Sequence, residues 1–188
     1  EDIVQYLSQD QISIEVEVNE IKSYSLQSKI CQFGTDLVEV HGDLSAIPLP
    51  VGTVLTPEQL MINSKPLTRS TTIHDVYELL LEREIVVSKT GAKDPVHPVT
   101  GRISRFVHLK TDIFRDRTST LKDSMRNQIT LLNQYLVHAG QEFGHKGDSG
   151  GLVYAQSKKT SVIVGTFVGS FSSTVYAVTP AEVISPLH

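Results

Sequence analysis

The run Gly147-Asp-Ser-Gly-Gly151 constrains this chain more than any other stretch. It lies within Phe143-Gly-His-Lys-Gly-Asp-Ser-Gly-Gly-Leu-Val-Tyr154. Three glycines around one serine demand a tight turn. Residues without Cβ take backbone angles closed to others and let another backbone come near. The apolar Leu152-Val-Tyr154 that follows reads as a strand entering a core. A hydroxyl on such a turn is open to a substrate carbonyl. The amides of Gly147 and Ser149 are placed to supply the fixed N–H donors that an oxyanion needs. Asp148 would hold the turn by directing its carboxylate inward to a buried partner. Asp, Ser and Gly are also ordinary turn residues, so a plain Gly-rich hairpin turn is the competing reading.

The pattern resembles the nucleophile motif of the trypsin/chymotrypsin-like serine proteases. The likeness extends along the chain. Glu84-Ile-Val-Val-Ser-Lys-Thr-Gly91 and Val99-Thr-Gly-Arg-Ile103 resemble the strand, turn and strand that open that family's second barrel. Asn127-Gln-Ile-Thr130 is similar to the strand leading into the nucleophile loop. Val162-Ile-Val-Gly-Thr-Phe-Val-Gly-Ser170 and Thr174-Val-Tyr-Ala-Val-Thr179 resemble its last two strands. The resemblance implies an all-β, chymotrypsin-like double β-barrel whose first barrel is partly incomplete. Residues 1–52 would be the remainder of the first barrel. Residues 53–83 would be an inter-barrel linker with short helices, and 84–188 the second barrel with the nucleophile loop. Within the linker, one helix is expected to start at Thr56-Pro57 and another to run from about Thr71 to Glu82, where Thr72 and Asp75 suit a capping box. Thr179-Pro180 signals a short C-terminal helix. The charged segment Lys110 to Met125 reads as a surface excursion.

For the acid, the resemblance points to Asp43 in Asp43-Leu-Ser-Ala-Ile-Pro-Leu49. In the trypsin-like order the aspartate precedes the serine by about 90 residues. Here the separation is 106 positions, which the excursion accommodates. The competing reading of Val38 to Ile47 is a β-hairpin turning at Gly42-Asp43.

A serine needs a base to take its proton. The family's histidine lies about 45 residues before the aspartate, and that position falls upstream of Glu1. His41 shares a strand face with Asp43 and points parallel to it. His74 falls in the helical segment, His97 in a Pro-flanked turn, and His108 and His138 in strand-like runs. His145 precedes Ser149 in the loop and reads as a solvent-facing histidine. The expectation is therefore a serine endopeptidase that hydrolyses peptide bonds through an acyl-enzyme and takes its histidine from an upstream segment of the same protein. The alternative is an inactive pseudoprotease that serves as a peptide- or protein-binding module.

The resemblance places Phe143 at the base of the substrate pocket, with Val168 and Gly169 on its wall. This implies a preference for small or apolar side chains. In secreted relatives the carboxylate corresponding to Asp148 pairs with a chain end created by cleavage. The start of this chain is Glu1-Asp2, so another partner is expected for Asp148.

The bulk properties narrow the partners. The net charge is −4 with no basic cluster, which argues against nucleic acid. No run is apolar enough to span a membrane. The His, Asp and Glu residues show no metal-site spacing, and no cofactor is expected. Cys31 is the sole cysteine, so no internal disulfide can form. That suits a reducing intracellular compartment, cytoplasmic or nuclear.

Overall fold

The computed structural model describes residues 2–7, 13–18, 26–43, 51–116 and 126–183. The fold is mostly β. Two ribbons come first: β1 (Asp2–Leu7) pairs with β2 (Ser13–Val18), and β3 (Leu26–Phe33) pairs with β4 (Asp36–Asp43). A short 3-10 turn over Glu58–Leu60 precedes β5 (Met61–Ile62) and β6 (Lys65–Ser70). The helix α1 (Ile73–Glu82) follows. The remaining strands are β7 (Ile85–Lys89), β8 (Val99–Asp116), β9 (Arg126–His138), β10 (Leu152–Gln156), β11 (Ser161–Ser172) and β12 (Val175–Pro180).

These last six strands form a closed antiparallel barrel. Their order is β10-β7-β8-β9-β12-β11, and pairing of β10 with β11 completes the ring. Closure removes the unpaired edges that an open sheet would expose. Alternation explains the inside of the wall. Val87 and Lys89 of β7 are fully buried, while Val86 between its neighbours is exposed. The barrel encloses the main core, which includes Ile103, Tyr135, Val137 and Val178. Among the described residues this is the one closed barrel.

The β3–β4 ribbon and α1 pack against the barrel. Cys31, Val38 and Val40 from the ribbon join the same core, as do Ile73 and Val76 from the helix. Two side-chain amides of β9 fasten the ribbon: Asn133 Nδ2 donates to the Glu39 carbonyl and Gln134 Nε2 to that of His41, each at 2.6 Å. Gln134 is fully buried, and its Oε1 accepts from Thr179 Oγ1 at 2.7 Å. A buried amide costs free energy unless both ends are satisfied, and here both are.

The helix begins as its sequence predicts. Thr72 Oγ1 accepts from the Asp75 amide at 3.1 Å, and the Asp75 carboxylate accepts from the Thr72 amide at 3.3 Å. The Glu182 carboxylate also accepts from the Ile73 amide at 2.7 Å. Negative charge is favoured at this end of a helix.

Three sequence expectations are corrected. Much of the charged excursion is strand: Lys110–Asp116 continues β8 and pairs in register with β9 from Leu132 back to Arg126. Thr111, Ile113 and Phe114 suit a strand, and charge reports exposure, not backbone conformation. Residues 117–125 lie outside the described residues. The competing hairpin reading near Asp43 also shifts: the turn lies at Gly34-Thr35, not at Gly42-Asp43; Gly34 has φ +62°, and Asp43 is paired with Leu26. At the C-terminal end, Pro180 still belongs to β12, and a 3-10 turn spans Ala181–Val183.

Candidate active site

Strand direction gathers the chemistry at one mouth of the barrel. β7, β9 and β11 end there, and β8, β10 and β12 begin there. The mouth therefore carries the β7–β8 loop, the β9–β10 loop and the turn between β11 and β12. In the ring, β9 and β10 stand on opposite sides. The loop joining them, residues 139–151, must cross the mouth. It carries the Gly-Asp-Ser-Gly-Gly run.

The loop is anchored from below. Phe143 is fully buried, with its ring 5.2 Å from that of Tyr176 and 6.1 Å from that of Phe167, centroid to centroid. Tyr176 Oη donates to the Gly140 carbonyl at 2.8 Å. Further along, the Gly150 amide donates to the Phe167 carbonyl and the Phe167 amide to the Gly151 carbonyl, each at 2.8 Å. These two bonds dock the loop's exit onto β11.

Between the anchors, Gly147 and Gly150 adopt φ of +97° and +87°, the left-handed region that favours glycine. Ser149 is exposed. Its Oγ donates to the Val168 carbonyl at 2.7 Å. Among the described residues, no acceptor takes the amide protons of Gly147 or Ser149. These are the two donors assigned from the sequence to an oxyanion hole.

Asp148 points the other way. Its carboxylate accepts from the Ala92 amide at 2.9 Å, from the His145 amide at 2.9 Å and from Lys89 Nζ at 3.0 Å. The Asp148 amide donates back to the His145 carbonyl at 3.1 Å, so the 145–148 turn is closed from both sides. Burial pushes the carboxyl's pKa up. The amides of Ala92 and His145 and the Lys89 ammonium outweigh it and hold the group below its usual value. Lys89 itself is fully buried, its ammonium 4.9 Å from the Phe167 ring centre and 5.4 Å from that of Phe143. Contact with ring faces replaces some of the water it loses. Gly91 permits this approach: a Cβ there would come within 2.9 Å of the Asp148 carboxylate.

The other residues singled out from the sequence fall as follows. Val168 is buried and Gly169 half-buried, both beside the serine on β11. Phe143 belongs to the core beneath the loop and offers no surface to a ligand. The resemblance implies that Phe143 sits at the base of the substrate pocket; in the structure its aromatic neighbours draw the ring inward. Asp43 closes β4, two residues beyond the carbonyl that Gln134 fastens. Its side chain lies outside the described part.

Of the described histidines, His41 pairs with Glu39 and His74 with Glu78, each at 3.2 Å. His97 Nδ1 lies 2.9 Å from Asp94 on the exposed β7–β8 loop. His138 ends β9 at the mouth and His145 lies in the loop itself. Lys89, which holds Asp148 from the barrel wall, is not singled out by the sequence reading. Alternation from Ile85 through Val87 gave the signal, because it turns Lys89 into the core. Among the described residues, no cluster of His, Cys, Asp and Glu could hold a metal ion.

Compared with protein-family models and with curated proteins, the chain finds no match.

Proposed function

We propose that the chain is the nucleophile-bearing part of a trypsin-like serine endopeptidase, with its histidine carried by an upstream segment of the same protein. The observation that carries this reading is the pairing of an exposed Ser149 with two open amides, on a turn whose Asp148 carboxylate is anchored inside. In this reading Ser149 Oγ leaves the Val168 carbonyl and attacks the scissile carbonyl. The histidine takes its proton and returns it to the leaving amine, and Asp43 orients that histidine. The Gly147 and Ser149 amides hold the oxyanion, and water then releases the acyl group.

The polypeptide substrate would lie extended along β11. β10 pairs with β11 as far as Thr166, the Gly150–Gly151 backbone holds Phe167, and beyond Phe167 no described strand covers that edge. Main-chain pairing there would bring a peptide past Ser149. Val168 and Gly169 would then leave room for a small or apolar side chain. The β3–β4 ribbon would be the part of the first barrel present here, completed by the upstream strands that bring the histidine.

A second reading is a peptide-binding module without catalysis. It is favoured by the engagement of Ser149 Oγ with a backbone carbonyl instead of a base. Both readings use the same open edge. A fluorophosphonate probe on the full-length protein separates them, because the probe needs an activated serine. Labelling at Ser149 that Ser149→Ala abolishes supports the enzyme. A folded full-length protein that takes up no probe supports the binding module.

A further inference from the structure

The Lys89–Asp148 pair has a role beyond filling the core. Lys89 stands on β7, part of the rigid wall, whereas Asp148 stands on the loop that crosses the mouth. Both side chains are about 1% exposed. An unpaired buried carboxylate is costly, so the loop conformation that buries Asp148 depends on a cation waiting there. Burying Asp148 also fixes the peptide units on either side of it. The unit that follows carries the Ser149 amide, and the unit that precedes, held by the Asp148 amide on the His145 carbonyl, orients Gly147 and its amide one unit further back. The Ala92 and His145 amides complete a three-donor cradle, which one neutral oxygen could not satisfy.

We propose that Lys89 is the positioning residue of the oxyanion hole, a built-in cation that sets the Gly147 and Ser149 amides without any newly created chain end. This rests on the reading of Ser149 as a nucleophile. The cation belongs to the barrel wall itself, so the site is formed in the uncut chain.

The test uses uncut full-length protein in wild-type, Lys89→Arg, Lys89→Met and Lys89→Met/Asp148→Asn forms. Two readouts are taken: the rate of fluorophosphonate labelling at Ser149, and hydrogen exchange of residues 143–151. The double variant guards against failure to fold, because it leaves no lone buried charge. The Ala92 and His145 amides bond different oxygens of the carboxylate, so an asparagine turns its NH2 toward one of them and the loop stays loose even where the barrel is intact. The expected result is that uncut wild-type protein is labelled. Labelling falls at least tenfold in the folded double variant, exchange of 143–151 rises there with the barrel strands still protected, and Lys89→Arg recovers part of both. Wild-type labelling rates and loop protection in the folded double variant would overturn the proposal, as would labelling that begins only after cleavage. If no form is labelled, the catalytic reading fails by itself. Exchange then still decides whether Lys89 orders the loop: faster loop exchange in the double variant upholds that role, and unchanged exchange refutes it.

Discussion

Single atoms decide what the loop can do. Asp148 illustrates how a titratable group becomes a structural tie. Its carboxyl is held below the usual value of about 4 despite burial, because the amides of Ala92 and His145 and the Lys89 ammonium prefer the charged form. A group depressed in the folded state stabilises fully above its unfolded pKa and loses that contribution as pH falls through the folded value. Order in residues 143–151 is therefore expected to hold steady from pH 7 to pH 5 and to fail only below about pH 4. Loop exchange or the near-ultraviolet signal of the Phe143, Phe167 and Tyr176 cluster would report it. Loosening near pH 6 would instead point to a histidine.

The histidines at the mouth give a second prediction at this scale. His97 already holds a carboxylate on Nδ1, and His145 lies four positions before Ser149. If the base comes from upstream, His97→Ala and His145→Ala each leave probe labelling of the full-length protein within about threefold of wild type, well short of the roughly 100-fold or greater loss expected on removing a general base. A loss of that larger size in either variant would place the base in this chain. Cys31 is not a competing nucleophile. Burial, then the Glu182 charge, pushes its thiol up to about 11, with Lys29 opposing.

Elements differ in how far local sequence specifies them. The helix α1 is specified almost entirely by its own residues, through the capping box and the spacing of its buried Ile73 and Val76. Thr72→Ala should cost about 1 kcal/mol of stability, measured by urea unfolding. A cost near zero would mean that the Glu182 carboxylate alone caps this end. The barrel strands were likewise legible, because alternation in β7 and apolar runs in β10 to β12 are local patterns. Other features depend on partners distant in sequence. The β8–β9 ribbon was hidden by its charge, which marks exposure only. The β3–β4 turn at Gly34-Thr35 is fixed by the pairing of Leu26–Phe33 with Asp36–Asp43, whereas local sequence offers Gly42-Asp43 as a competing turn. Lys89 was read as one residue of a strand, since its partner lies 59 positions away. Phe143 was placed by motif position, and the ring cluster that draws it inward brings together three different elements.

Among the described residues, the largest unit is a closed six-strand barrel with a ribbon and a helix packed against it. At one mouth a loop is stretched between opposite strands and tied down by a buried ion pair. Among the described residues no helix is long and apolar enough to cross a membrane. The arrangement provides an exposed hydroxyl, two open amides and a free strand edge in one place. A fixed turn of this kind suits acyl transfer, where donors must be aimed before the charge develops. The most direct measurement is mass-spectrometric mapping of a fluorophosphonate adduct on the folded full-length protein. One adduct on Ser149, absent from Ser149→Ala, is the predicted result. A folded protein with no adduct, or with the adduct on another residue, would contradict it.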